Sequence, residues 1–226
     1  VSQLIDIFME PAKVWAEQKE RPTFLVPALL VTLAIAIPAM LYFFRVDPQW
    51  FADYQLQALG QEMSAAEVEQ AKAFMPGARA SGWITAITSV VFMAVMFTIM
   101  SVYYLLAGKV AGHAVDFRRG LSLATWASMP LVLGGLVVLV AVFTSSPQSS
   151  YESMQMLNVD PLFVHLPMDH SWSLLARSFS LLNFWCWFLA ALGWKTWFRT
   201  GWGQAIFVVL LPSVVIYGVM ALFALL

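Results

Sequence analysis

Five stretches of this chain run for about twenty residues with hardly an ionisable side chain, at about 24–44, 83–107, 121–143, 174–192 and 205–226. A helix needs roughly 20 apolar residues to cross the hydrocarbon of a bilayer. Barrel strands are shorter and alternate in polarity, so these long unbroken runs predict helices. The composition agrees: 61% of residues are hydrophobic and 11% charged, with a mean hydropathy of +0.76. A soluble domain is nearer about half apolar and about a quarter charged. The expected fold class is therefore all-α, a polytopic membrane protein of five transmembrane helices with an interfacial N-terminal helix. One domain is expected over 1–226, with long loops at 45–82 and 144–173 on the same side.

That composition excludes a soluble globular enzyme and a disordered tail. Twelve Lys+Arg against thirteen Asp+Glu leave a net charge of −1. Nucleic acid is not an expected partner, because no basic surplus exists to neutralise phosphates. A single cysteine, Cys186, excludes an intramolecular disulfide and a multi-cysteine zinc site. The first run is read as a retained anchor. It is too long for a signal peptide, a polar stretch precedes it, and Arg45 and Asp47 follow where a cleavage site of small residues would stand.

Eight of the twelve basic residues fall on one side of such a bundle: Lys13, Lys19, Arg21, Lys109, Arg118, Arg119, Lys195 and Arg199. The loop at 144–173 has no Lys or Arg at all. The positive-inside rule then predicts a cytoplasmic N-terminus and an outer C-terminus. Trp50, Trp83, Trp172, Trp194, Trp197 and Trp202 stand at the predicted span ends, where amphipathic rings favour the headgroup zone.

Before the first run, Leu4, Phe8, Ala12 and Trp15 share a helical face, and Pro11 kinks that helix or starts a second one. It is read as lying on the cytoplasmic interface, with packing under the bundle as an equal alternative. In the first outer loop, Ser64 and Glu67 have capping-box spacing and Met63 with Val68 has staple spacing. They predict a helix over 65–74, and Pro48 predicts another over 49–59.

The second outer loop holds Asp160, His165, Asp169 and His170 in the spacing D-x4-H-x3-D-H. Imidazole and carboxylate suit zinc, nickel or iron, and Met154, Met156 and Met168 nearby would suit copper(I). Ordinary polar loop residues have the same appearance. Chemistry inside the bilayer requires ionisable groups at depth. The centres of the second, third and fifth runs contain none; Arg177 lies near one end of the fourth. Asn183 is read as a hydrogen-bonding partner of a neighbouring helix and Cys186 as packing. No catalytic dyad is present, so no enzyme and no cofactor are expected.

Pro38, Pro130 and Pro212 interrupt the runs, and Gly134, Gly135 and Gly218 lie near the last two. Tight packing accounts for them, and so do hinges around a cavity, with Trp126, Asn183 and Tyr217 as its residues. Lys109, Arg118 and Arg119 suit anionic headgroups or an acidic partner, while also satisfying plain topology.

The stretch Tyr103-Tyr-Leu-Leu-Ala-Gly108-Lys-Val-Ala-Gly112-His-Ala-Val-Asp-Phe117, followed by Trp126 and Pro130, resembles the centre of the Ypt-interacting-protein (YIP) family. Gly193-Trp-Lys195 through Gly203 to Pro212 and Tyr217 is similar to the family's last loop and final span. Phe8-Met-Glu-Pro11 through Arg21-Pro22 looks like the start of its bacterial members. The resemblance covers nearly the whole chain and implies a five-span membrane protein in a bacterial inner membrane. Eukaryotic members are associated with vesicle traffic and bind Rab-type GTPases. This chain lacks their long acidic N-terminal region and Asp-Leu-Tyr-Gly-Pro-like motif, so Rab binding is not carried over, and no site residues come with the resemblance.

The expected function is non-enzymatic: binding or organising membrane partners, either proteins or lipids, with the bilayer itself and a second membrane protein or second copy as partners. The alternatives are a channel, transporter or lipid-moving protein, and a divalent-metal-binding protein using the 160–170 cluster.

Overall fold

The computed structural model describes residues 2–58, 64–167 and 170–225. Regular structure among them is helical, apart from one isolated antiparallel bridge between Asn158 and Ser180. In order the elements are α1 (Ser2–Met9), α2 (Pro11–Glu20), α3 (Leu25–Arg45), α4 (Pro48–Ala58), α5 (Ala65–Phe74) and α6 (Ala78–Val110). Then come α7 (Phe117–Ala127), α8 (Leu131–Thr144), α9 (Tyr151–Met154), a π-helical turn (Asp160–Val164), α10 (Ser173–Ser178), α11 (Leu182–Phe198) and α12 (Trp202–Leu225).

Among the described residues, α3, α6 and α12 are long and apolar enough to cross a membrane, and α7 with α8, bent by 42°, is a fourth if counted as one span. The third and fourth apolar runs are thus not the continuous helices predicted. Pro130 has no N–H to give the Trp126 carbonyl. Met129 N bonds that carbonyl instead, and Leu131, Val132 and Leu133 each reach back only three residues. The fourth run breaks without proline or glycine. Val159 N donates to Phe179 O and Leu181 N to Leu157 O, both at 2.9 Å, so residues 179–181 bond to the preceding loop rather than to a helix. What remains of the run, α11, is 17 residues long.

The N-terminal segment is two helices, divided at Pro11. They fold back on each other, with Lys13 Nζ 3.2 Å from Asp6 and Gln18 bonded to Gln3. Of the two alternatives for this segment, packing under the bundle is the one found: Ile7, Val14 and Trp15 are fully buried, α2 lies on α11, and the Phe8 ring meets Trp185, while Ala12 of the predicted face is exposed. Trp194 and Trp197 are buried in the same core rather than in a headgroup belt, while Trp83 and Trp202 are exposed.

α3 packs between α6 and α8, α6 on α7, and α11 on α2, α7 and α12. One core, around Trp15, Leu123, Leu189 and Trp194, fills the end of the bundle beneath the N-terminal hairpin. A second, around Tyr42, Phe51, Val142 and Met154, fills the opposite end, beneath the loops. The predicted helices of the first loop are α4 and α5; Leu59 and the staple residue Met63 lie outside the described residues. The capping box forms, with Ser64 N and Oγ both 2.7 Å from the Glu67 carboxylate. Lys72 pairs with Asp53 at 2.7 Å, and the Tyr54 hydroxyl bonds Glu152 at 3.1 Å. Burial first, and then the Glu152 charge, push the Tyr54 phenol up to about 12.

The outward faces of α6 and α12 expose Ile87, Val91, Val95, Val214, Val215 and Leu222. Contiguous apolar surface of this kind suits lipid rather than water.

Candidate functional site

A cavity of about 280 Å³ lies among α6, the α7–α8 break, α11 and α12. Its walls follow from helical periodicity. On α6, Met93, Met96, Met100 and Tyr104 recur at three and four residues and so share one face. On α11, Asn183, Cys186, Trp187 and Ala190 do the same, as do Val209, Ser213 and Tyr217 on α12. Ala127, Ser128 and Leu131, on either side of the break, complete it. Irregular backbone at membrane depth is tolerated where protein covers it or where it borders a cavity, which fits this position for the break.

Tyr104 lines the cavity at the hairpin end, beside Trp194, and a bonded set of polar groups lies toward the loops. Asn183 Nδ2 donates to the Tyr217 hydroxyl at 2.8 Å, and Tyr217 donates weakly to Ser178 O at 3.4 Å. Trp187 Nε1 donates to Ser213 Oγ at 2.9 Å. The Phe179 ring, carried by the break before α11, sits 5.2 Å from Tyr217 and 5.8 Å from Trp187. At the other end the Tyr103 hydroxyl bonds Val208 O at 2.5 Å and joins α6 to α12. The lining contains no carboxylate, amine, guanidinium or imidazole. Cys186 therefore has no carboxylate or imidazole beside it in this wall, whose polar groups are hydroxyl, amide, indole and thiol.

Of the three residues singled out for a cavity, Asn183 and Tyr217 stand together in its wall and bond one another. Trp126 does not line it; its Nε1 donates to Thr23 O at 2.9 Å, fastening α7 to the segment before α3. The α6 methionines and Ser213 carry no signal in the sequence, because an apolar wall inside an apolar run has no contrast. The 42° bend at the cavity was legible in Pro130.

Asp160 is buried, and its carboxylate accepts from Leu166 N at 2.8 Å and faces Arg177 Nε at 3.5 Å. His165 and His170 are exposed, and His170 Nδ1 accepts from Trp172 N at 3.2 Å. Asp169 and Met168 lie outside the described residues. Among the described residues no three His, Cys, Asp or Glu side chains are grouped as a metal site.

Lys109, in the last turn of α6, and Arg118 and Arg119, in the first turn of α7, lie at the hairpin end of the bundle. Arg118 Nε donates to Pro22 O at 2.9 Å and Arg119 to Ala114 O at 3.4 Å. Asp116 caps α7 by accepting from Arg119 N at 2.7 Å.

Long apolar helices with exposed apolar faces around a neutral cavity define a multi-pass helical membrane protein. Comparison with known families places the chain more narrowly: it belongs to the Yip1 domain family, whose pattern it matches over residues 5–223. The resemblance drawn from the Tyr103–Pro130 region is thereby borne out. The chain is also 23% identical to the membrane protein YknW of Bacillus subtilis (strain 168) over 222 residues, covering 98% of this chain and 88% of that protein. No solved structure matches it.

Proposed function

We propose that this is a non-enzymatic, five-span membrane protein that holds a membrane component in the cavity among α6, α11 and α12. The observation that carries the reading is a neutral cavity bordered by α6 and α12, both long and apolar enough to cross a membrane. Its lining is apolar apart from a few hydroxyl, amide, indole and thiol groups, and holds no carboxylate, amine, guanidinium or imidazole. In this reading the whole chain is one membrane domain, and α10 with α11 makes the remaining span despite its break. The hairpin end, with its eight basic residues, faces the cytoplasm of a bacterial inner membrane, and the loops face outward. Lys109, exposed at the hairpin end, meets anionic headgroups there.

Native mass spectrometry of the protein extracted in mild detergent tests this directly. A retained mass in the lipid range, unchanged by a chelator, is expected. A bare polypeptide, before and after reloading with lipid, would overturn the reading. Topology is checked in a Cys186→Ser background. Glu67→Cys should react with an impermeant maleimide in intact cells, and Lys195→Cys only after permeabilisation.

The bend at Ala127–Leu131 favours a second reading, in which the cavity opens and closes to pass its guest between leaflets. Lipid or solute flux no faster than in empty vesicles would remove it.

A further inference from the structure

We infer that the cavity receives one acyl chain of a glycerolipid from the leaflet on the loop side. The tail points toward the hairpin end, and an uncharged ester or hydroxyl oxygen of the lipid sits at Asn183 and Tyr217. This rests on the reading that the cavity holds a membrane component, and adds which one and which way round.

The hydrogen-bonded polar pair of the walls lies at one end, although the Tyr104 phenol lines the other. Asn183 and Tyr217 lie at the loop end, while Phe97, Met100, Ala124 and Val209 form most of the deeper end, with Tyr104 beside them. A hydroxyl and a carboxamide in hydrocarbon are costly unless bonded; Tyr217 gives its one proton to Ser178 O, so the second N–H of Asn183 is what remains for one more neutral oxygen. The absence of any charged lining residue excludes a phosphate from the cavity, since nothing there would compensate its charge. The headgroup accordingly stays outside, and its charge does not decide binding.

The cavity is continuous with the surface that meets lipid. Phe92, at its edge on α6, is largely exposed, as is Val214, which follows Ser213 on α12. The Tyr103–Val208 bond joins α6 to α12 at the hairpin end, so the side between these two helices is open only nearer the loops, where Phe92 lies. A chain enters there without leaving hydrocarbon. Moving a tail from lipid to an apolar wall gains little, so specificity rests on packing and on the hydrogen bond at Asn183 and Tyr217. The volume of about 280 Å³ is just below the roughly 300–1,000 Å³ of sites for drug-sized molecules, so the cavity takes part of one chain and the rest stays in the surrounding lipid. The three unbranched methionines on α6 adapt to one. Phe179 lies over the polar end, held by the loop through the Val159–Phe179 bond.

The test uses the full chain in phosphatidylethanolamine–phosphatidylglycerol vesicles doped with a phospholipid bearing a diazirine near the end of one acyl chain. After photolysis, peptide mapping should place adducts on the 93–100 segment of α6 and on Val209 at higher density than on the lipid-facing Ile87. Added diacylglycerol and phosphatidylglycerol should compete equally. Asn183→Leu should lower the cavity adducts about fivefold, the loss of one ordinary hydrogen bond, while leaving Ile87 adducts unchanged. Ala190→Leu, which fills the cavity, should lower them too in a monodisperse protein. Adducts no denser in the cavity than on Ile87 overturn the inference, as do adducts unaffected by Asn183→Leu or competition by the anionic lipid alone. If those failures occur while native mass spectrometry still finds a mass that Ala190→Leu expels, the cavity binds something other than this acyl chain. If no mass is retained at all, the functional reading falls as well.

Discussion

Gly135 of α8 lies so close to Ala34 of α3 that a Cβ on the glycine would stand 2.1 Å from the Ala34 carbonyl oxygen. Pro38 is the residue whose N–H would otherwise bond that carbonyl, and proline has none. The proline in one helix and the glycine in the other thus belong to a single contact: the freed carbonyl is covered by a backbone that can approach it. Gly135→Ala should destabilise the bundle by roughly 1–3 kcal/mol, the usual range for overpacking. Gly218→Ala, whose Cβ would meet nothing within 4 Å beyond its own helix backbone, should not destabilise it. Thermal unfolding of both variants in the same detergent checks the contrast.

Gln18 is 1% exposed and joins three segments. Its Oε1 accepts from Thr23 N at 2.7 Å, Thr23 Oγ1 at 3.0 Å and Ser122 Oγ at 3.1 Å. Gln18→Leu strands those donors and should cost roughly 1–3 kcal/mol for each one left buried without a partner. Ser122→Ala should cost less, because Gln18 keeps Thr23. Hydrogen exchange read over 2–20 should rise strongly in the first variant and weakly in the second.

The pair of Arg177 and Asp160 organises the second loop, since Arg177 also donates to Leu166 O at 3.2 Å and receives Asn158 Nδ2 on its own carbonyl at 2.7 Å. Arg177→Gln leaves the Asp160 charge buried without its partner and should cost about 3 kcal/mol. The double variant Arg177→Gln, Asp160→Asn should recover part of that loss. Limited proteolysis over 155–178 gives the readout, with nicking fastest in the single variant.

The Glu67 carboxyl is held below its ordinary value by hydrogen bonds from the Ser64 hydroxyl and backbone. A carboxyl depressed in the folded state contributes stability that is present above its unfolded value and lost as pH falls through the folded one. Residues 65–74 should therefore stay helical at neutral pH and fray on acidification below about pH 4.3. Glu67→Gln should remove the pH dependence of that fraying. Amide chemical shifts of α5 measured from pH 7 to pH 3 report it, and a flat profile in the parent protein would contradict the assignment.

Membrane insertion was legible in runs of twenty apolar residues, and α5 in its capping box, because both signals are local. The Trp126–Pro130 element marked a real break, since a missing N–H is a property of the residue itself. The break before α11 had no such mark. It exists because Val159 and Leu157 bond residues 179 and 181 from some twenty positions away.

Hydropathy likewise could not say which tryptophans meet lipid. Trp194 and Trp83 stand equally at the ends of apolar runs, yet one is buried beneath the hairpin and the other is exposed. By itself the sequence determined that this chain belongs in a bilayer, and its family. The tertiary structure alone decided that Asn183 and Tyr217, 34 residues apart, share one cavity wall, and that Trp126 is turned to Thr23. The physical reason is that hydrophobic pattern specifies which residues avoid water, whereas in hydrocarbon only packing and hydrogen bonding choose the neighbours.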